Sequence, residues 1–124
     1  MPYVDTEAAL ISRLSDQIAC LVVGELPGDV DKRLPVVQLI GLPGEGELTP
    51  WGGTPLVDVA PMDFDVFAAS REQASDLATQ VRSVLESIKD ELIIGVTVSK
   101  PAKRPDYNPR IKRYGGTLTA RFRT

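Results

Sequence analysis

The sequence predicts an α+β fold in which an antiparallel sheet of about four strands carries two helices on one face. Three observations support this prediction. Residues 70–88 repeat apolar side chains at helical spacing, residues 114–122 alternate apolar and polar side chains, and helices and strands are interspersed without an internal repeat. Because the chain has 124 residues, we expect a single domain over residues 1–124 with one core.

The first third of the chain predicts a helix followed by strands. Asp5 or Thr6 can cap a helix that runs to about Cys20. Residues 21–26 are apolar and are compatible with a short strand, and residues 34–42 are rich in the β-branched and aliphatic residues of a buried strand. The helix is supported by an apolar stripe at helical spacing, formed by Leu10, Ile11, Leu14 and Ile18.

A long strand is predicted over residues 56–67, with a bulge or bend at Pro61. The apolar residues change parity within this segment, and a slip of one residue at the proline would keep all of them on the buried face. Asp63 and Asp65 then lie on the solvent face, where acids are usually solvated. The residues that set the two parities are Val57 and Val59 before the proline and Met62, Phe64 and Val66 after it.

The clearest element is an amphipathic helix that Ser70 opens. Ser70 and Gln73 have the spacing of a capping box, and the apolar residues that follow fall on one face. Residues 92–99 predict another strand, and residues 114–122 predict the last one. In the last strand, Tyr114, Leu118, Ala120 and Phe122 share one face.

Composition excludes most catalytic and metal chemistry. The chain has no histidine and one cysteine, Cys20, so it cannot build a histidine-based triad, a zinc site of CxxC type or an internal disulfide. We therefore expect a protein that is not an enzyme and has no cofactor. No apolar run approaches a membrane span and no signal peptide is recognisable, so we expect synthesis in the cytoplasm and no membrane partner.

The charges are segregated along the chain. The net charge is −3, but residues 1–99 hold sixteen acids and six bases, whereas residues 100–124 hold eight bases and one acid. An acidic body with a basic C-terminal fifth points to a partner of matching charge, and that partner can be another copy of the chain.

Residues 41–55 predict a long irregular loop because they contain five glycines and three prolines. Trp51 in this loop either folds back over the sheet or anchors a neighbouring subunit. The glycines do not form a nucleotide site, since no lysine followed by Ser or Thr and no helix comes after them.

Three acids, Asp58, Asp63 and Asp65, resemble a carboxylate cluster, but the sequence does not complete a coordination shell for Mg²⁺ or Ca²⁺. We therefore expect no metal site.

The segment 100–114 is the most informative. Prolines 101, 105 and 109 predict an extended loop without ladder pairing, which displays six cations and two tyrosines. Three interpretations remain open: a solvated loop without a role, docking against an acidic surface of a neighbouring subunit, or contact with phosphates that does not read sequence.

The order of motifs resembles the tail terminator proteins of bacteriophages with long non-contractile tails, the neck or tail-completion proteins of siphoviruses. The resemblance covers nearly the whole chain. Its most specific parts are the strand-to-helix join and the segment before the last strand. The matching residues are Glu25-Leu-Pro, Arg33-Leu-Pro-Val-Val-Gln-Leu, the glycine-rich loop, Met62-Asp-Phe-Asp-Val-Phe-Ala-Ala-Ser, Arg71-Glu-Gln-Ala and Pro105-Asp-Tyr-Asn-Pro-Arg-Ile-Lys-Arg-Tyr-Gly-Gly.

This resemblance implies a structural virion protein at the head-proximal end of the tail. Members of the family form hexameric rings on the last ring of the tail tube, end tube growth and present a surface to the head-completion or stopper protein. The implied partners are the chain itself, the major tail tube protein and the stopper protein, with DNA only passing through the channel. An acidic body suits such a channel because it repels the phosphates.

We assign the intersubunit or tube interface to exposed groups of the two loops. In this hypothesis, reversing the charges of Arg110 and Arg113 weakens assembly and leaves the monomer folded. The alternatives are another neck component, such as a connector or stopper, and a nonspecific DNA-binding module. The assigned residues are Trp51, Lys103, Arg104, Tyr107, Arg110, Lys112 and Arg113.

Overall fold

The structure is a computed structural model that describes residues 5–42, 47–48 and 57–123. These residues form two α-helices, α1 (Thr6–Ser15) and α2 (Arg71–Ser87), a short 3₁₀ helix (Val30–Lys32) and seven strands. The α+β class is therefore confirmed. The strands are β1 (Leu21–Val23), β2 (Val36–Gly41), β3 (Glu47–Leu48), β4 (Val57–Ala68), β5 (Ile93–Val98), β6 (Ala102–Arg104) and β7 (Lys112–Arg123).

Helix α1 begins as the sequence predicts but ends earlier. The carboxylate of Asp5 accepts a hydrogen bond from the backbone N–H of Ala8 at 3.0 Å, which satisfies one of the free donors of the first turn. The helix stops at Ser15 rather than near Cys20. The N–H groups of Gln17 and Ile18 both donate to the carbonyl of Leu14, so the chain tightens there and still buries Ile18.

Helix α2 follows its prediction closely. The hydroxyl of Ser70 accepts from the N–H of Gln73 at 3.1 Å, and the side chain of Gln73 accepts in return from the N–H of Ala69 at 3.3 Å. These two bonds satisfy donors at the start of the helix. The buried side chains face the sheet and are Ala74, Ala78, Val81 and Leu85.

The sheet is mixed and larger than predicted. Within the described residues, its main path is β1-β2-β4-β7-β5, with β3 paired to β4 and β6 paired to β7. The expectation of about four antiparallel strands holds only roughly: β2, β4, β7 and β5 are antiparallel neighbours, but further short strands join them and β1 runs parallel to β2. The chain between these strands, residues 24–35, crosses back past the 3₁₀ helix before β2 begins, and such a return makes neighbouring strands parallel.

Two short strands lie in segments for which the sequence predicted irregular loops. Strand β6 occupies the three residues between Pro101 and Pro105, which keep their own N–H groups and pair with Arg113–Gly115 of β7. Glu47 and Leu48 of the glycine-rich loop pair with Asp58 and Val57 of β4. The prolines confine these strands to a few residues rather than preventing them.

Strand β4 is continuous, and the predicted bulge at Pro61 does not form. Its pairing with β7 keeps one register from Val57 to Ala68. The prediction failed because it placed Val57 and Val59 in the core, whereas Ala60 takes that position. The carbonyl of Pro61 accepts from the N–H of Leu42 at 2.9 Å, so its nitrogen points to the same side, and only the reciprocal bond to Leu42 is missing, at the point where β2 ends. A register shift occurs in β5 instead, between Ile93 and Gly95.

Both helices pack on one face of the sheet. Helix α1 covers β1 and β2, whereas α2 covers β4, β5 and β7, and their buried side chains belong to one apolar cluster. From β4 this cluster takes Ala60, Met62, Phe64 and Val66. The alternate residues of β4 therefore lie on the opposite face, which carries no helix among the described residues and which we call the helix-free face. No helix among the described residues is long and apolar enough to span a membrane.

Candidate functional site: the basic hairpin and the helix-free face

The basic segment forms a hairpin, with β6 and β7 joined by residues 105–111. The loop is held by its own side chains. Asp106 accepts from the N–H of Asn108 at 3.1 Å, and the side-chain oxygen of Asn108 accepts from the N–H of Arg110 at 2.9 Å. Such bonds are typical of turns built around Asx residues. Ile111 is buried and anchors the loop to the body.

The structure divides the predicted interface residues into two groups. Lys103, Tyr107, Arg110 and Lys112 are exposed, and Tyr107 is fully exposed. Arg104 and Arg113 are partly buried and point to the helix-free face. Trp51 lies outside the described residues. The hairpin thus presents only part of its charge to a partner.

Arg104 and Arg113 form an ion-pair cluster with two acids of β4. Arg104 binds both carboxylate oxygens of Asp63, at 2.8 and 3.0 Å, and also reaches Asp65 at 2.9 Å. Arg113 binds both oxygens of Asp65, at 3.0 and 2.8 Å. Two-pronged contacts of this kind are the strong form of an arginine–carboxylate pair. We call these four residues the sheet clamp, since they fasten β6 and β7 to β4.

The sheet clamp depends on two neighbours. Gly115 lies directly opposite Asp65, and a Cβ atom there would overlap the Asp65 carboxylate and the carbonyl of Phe64. The guanidinium of Arg113 lies 5.3 Å from the ring centroid of Phe67, which adds a cation–π contact. Gly115 thus leaves room for the Asp65 carboxylate, and the Phe67 ring packs against the guanidinium of Arg113.

The clamp holds both arginines charged. The hydrogen bond to Asp63 raises the pKa of Arg104 above its ordinary value, and the bond to Asp65 does the same to the pKa of Arg113. Asp65 is only 2% exposed, so the expectation that this acid is solvated is wrong. The alternation did place it on the correct face, but it could not show the two arginines that cover it.

The clamp changes the test of the interface hypothesis. Reversing the charge of Arg113 would place a carboxylate against the buried Asp65, so the monomer would be destabilised by like-charge repulsion. The hypothesis is therefore better tested at Arg110 and Lys112, which are exposed.

The three acids that resembled a metal cluster do not come together. Asp58 pairs across from Phe122, on the parity of the core face, whereas Asp63 and Asp65 lie on the helix-free face. Among the residues that the structure describes, no group of three potential ligands could hold a metal ion.

The helix-free face carries apolar side chains beside the clamp that the described residues leave exposed, and we call them the apolar strip. Among the described residues, the exposed large apolar or aromatic side chains are Tyr107 and three leucines or isoleucines, Leu21, Ile40 and Leu42. Leu21 pairs with Val36 and Ile40 with Asp63, which places both on this face, and Leu42 continues the register through its bond to Pro61. Half-exposed Val57, Val59 and Pro61 extend the strip along β4.

The two edges of the sheet have opposite charge. Residues 5–35 supply β1, its crossover and the helix above them, and they hold six acids and three bases. Residues 99–113 supply β6 and the hairpin loop at the other edge, and they hold six bases and one acid. We call these the acidic edge and the basic edge. Exposed carboxylates of the acidic edge include Asp16, Glu25 and Asp31.

Sequence reasoning also missed a structural role for Asp90. Its carboxylate pairs with Arg13 of α1 at 2.6 Å and accepts from the N–H groups of Leu92 and Ile93. It therefore links α1 to the start of β5. Its two-residue spacing before an apolar run is typical of an Asx turn and was the available signal.

Comparison of the chain with models of known protein families gives no match, and comparison with curated protein sequences gives none.

Proposed function

We propose that the chain is a structural, non-catalytic protein of a bacteriophage neck, a tail terminator that forms a ring on the head-proximal end of a long non-contractile tail tube. In this role it ends tube growth and provides the docking surface for the stopper protein. The choice of this family rests on the resemblance of motifs along the sequence. The structural observation that carries the assembly part is the apolar strip of the helix-free face, which the described part of the chain leaves exposed.

The strip supports assembly because small monomeric domains seldom leave several neighbouring large apolar side chains in water. Ile40 and Leu42 are exposed by 37% and 40% and lie next to the half-exposed Val59 and Pro61 of β4, whereas Leu21, exposed by 40%, lies apart from them at the other end of β2. Their burial against a second copy or the tail tube would remove this surface from water. A role on a virion gives the strip a permanent partner.

The opposite charges of the two sheet edges support a head-to-tail contact. When unlike patches on opposite sides of a subunit meet, each copy uses one patch for each neighbour, and the series closes into a ring if the rotation permits. The acidic edge and the basic edge are the two unlike patches of this chain. Like edges would repel each other, which also disfavours a two-fold pairing.

Two alternative functions have less support. Another neck component, a connector or a stopper, would use the same ring-forming features. A nonspecific DNA-binding module would use the exposed cations Lys103, Arg110 and Lys112, but the clamp already neutralises Arg104 and Arg113.

The proposal is tested by disrupting the gene in its phage and examining the lysate by electron microscopy. Tails of abnormal length that are detached from filled heads are expected, because tube growth would lack its stop. Tails of normal length beside heads that leak DNA would assign the protein to the stopper instead. Intact virions would overturn the proposal.

A further inference from the structure

A cavity of about 300 Å³ lies inside the basic hairpin, between its loop and the first turn of α2. We call it the hairpin pocket. It is separate from the apolar strip, and the clamp only borders it. Its lining combines cations with apolar groups: Arg71, Lys103, Lys112, Tyr114, Pro105, Pro109 and Ile111, with Asp106, Asn108 and the two clamp arginines completing the wall.

Hydrogen-bond donors converge on this pocket. Arg71 donates through Nε to the hydroxyl of Tyr114 at 3.0 Å, which fixes the guanidinium beside the pocket. Within the described part of the chain, neither the terminal nitrogens of Arg71 nor the ammonium of Lys103 has a hydrogen-bond partner. Lys112 reaches only the carbonyl of Pro109, at 3.2 Å. These groups can bind an anionic oxygen without giving up an ion pair.

The charge of the pocket is small and positive. The clamp arginines are balanced by Asp63 and Asp65, and the one acid of the lining, Asp106, bonds to the backbone of Asn108. What remains is three cations, Arg71, Lys103 and Lys112, against one acid. This balance suits one or two carboxylates better than a run of phosphates.

The apolar part of the lining indicates a protein ligand. Pro105 and Pro109 are exposed and form a wall on which an aliphatic side chain can pack, with the buried Ile111 behind them and the cations that hold the carboxylate beside them. The backbone of DNA offers phosphates but no aliphatic group for this wall. An acidic segment with an apolar neighbour supplies both.

We propose that the hairpin pocket binds a Glu or Asp side chain of an acidic protein segment, with an adjacent aliphatic side chain packed on Pro105 and Pro109. Arg71 and Lys103 hold the carboxylate through charge-assisted hydrogen bonds, and Tyr114 orients Arg71. This site goes beyond ring formation, since a partner segment could use it whether or not the chain is a tail terminator. A virion partner with an acidic loop or tail would be recognised here.

The test is a titration of the ¹⁵N-labelled full chain, followed by NMR. The probe is a blocked Glu-Leu-Glu tripeptide, with Gln-Leu-Gln as its uncharged match and a short DNA duplex as the rival. We expect saturable shifts at residues 103–114 and 71 with the acidic peptide. Binding of the Gln peptide should be about tenfold weaker, because it lacks the charge.

Variants separate the pocket from general charge attraction. Lys103→Ala and Arg71→Ala should each weaken binding about tenfold, whereas Arg110→Ala should leave it unchanged, since Arg110 is an exposed cation of the same loop that does not line the pocket. The spectra themselves report whether each variant is folded.

Three results would overturn the pocket proposal: equal binding of the two peptides, equal weakening by Lys103→Ala and Arg110→Ala, or shifts with the duplex and none with the peptide. None of these bears on tail length in the phage, so failure of the pocket and failure of the proposed function remain distinguishable.

Discussion

The carboxylate of Asp65 is balanced by two arginines within the protein rather than by water. Each arginine comes from a different strand of the basic hairpin, so one buried acid holds both sides of the hairpin to β4. A buried charge that loses its partners is costly, whereas a partly exposed pair contributes little. The two acids of the clamp should therefore differ in their effect on stability.

Replacing Asp65 with Asn should lower the free energy of unfolding by about 3 kcal/mol, because the buried carboxylate that both partly buried arginines share would become a neutral amide. Asp63→Asn is the matched control, since its side chain is 24% exposed and Arg104 would keep Asp65. We expect the control substitution to lower the free energy of unfolding by about 1 kcal/mol. Urea titration measures both, and equal losses would show that burial of Asp65 does not set the cost.

The close packing around Gly115 gives a second prediction about stability. A methyl group at this position would overlap the carboxylate of Asp65 and the carbonyl of Phe64, so the clamp would have to open. Gly115→Ala should therefore destabilise the fold by about 2 kcal/mol or more. Gly95→Ala is the control, because an added Cβ there meets no atom within 4 Å. Thermal unfolding that shifts equally for both variants would contradict the role of Gly115.

Single residues show what alternation in the sequence can and cannot predict. It placed Asp63, Asp65 and the core side chains of β7 on their correct faces, because successive residues of a strand point to opposite sides. It could not place Arg104 beside Asp63, since their contact joins residues 41 positions apart. Gly115 was visible in the sequence, but its structural role follows only from the register of β4 and β7, which places it opposite Asp65.

Among the elements, the helices and the four longer strands were predictable, but the pairing of the strands was not. Capping and periodicity are local signals, and they identified Asp5 and Ser70 correctly. The parallel direction of β1, the pairing of β6 and the straight path of β4 depend on partners that are distant in sequence. The bulge expected at Pro61 is an example, since Ala60 could replace Val59 in the core only once the register with β7 was fixed.

The ion pair between Arg13 of α1 and Asp90, just before β5, gives a prediction of pH dependence. Arg13 and the N–H groups of Ile93 and Leu92 lower the pKa of Asp90 to about 2, from an ordinary value of 3.8. Because the folded pKa is the lower one, the stabilisation is complete above about pH 4 and is lost as the pH falls to about 2.

Asp90→Asn should remove this part of the acid sensitivity. Because Asp90 is substantially exposed, we expect the substitution to lower the free energy of unfolding by at most about 1 kcal/mol at neutral pH. This difference in unfolding free energy between the variant and the unmodified chain should vanish near pH 2. Denaturant titrations at a series of pH values measure it. Glu86→Gln, at an exposed helix pair, is the control. A difference that stays constant between pH 4 and pH 2 would mean that the charge of Asp90 is not responsible.

For the whole molecule, the arrangement of charge follows from topology. The charge difference along the chain is visible in the sequence, but only the strand order places residues 5–35 and residues 99–113 toward opposite edges of one sheet. That placement converts a difference along the chain into two faces that can meet head to tail. Attraction between exposed charges is screened by salt, so self-association through these edges should weaken as ionic strength rises.

The double substitution Arg110→Glu with Lys112→Glu should weaken self-association about tenfold, because it makes the basic edge repel the acidic edge of the next copy. Lys32→Glu is the informative comparison. It also adds negative charge, but on the acidic edge, so association should be unchanged or tighter. Sedimentation velocity at low and physiological salt measures all three chains, and circular dichroism checks that they are folded. If both substitutions weaken association alike, net charge rather than the pairing of edges controls assembly; if the unmodified chain stays monomeric at low salt, the edges do not pair at all.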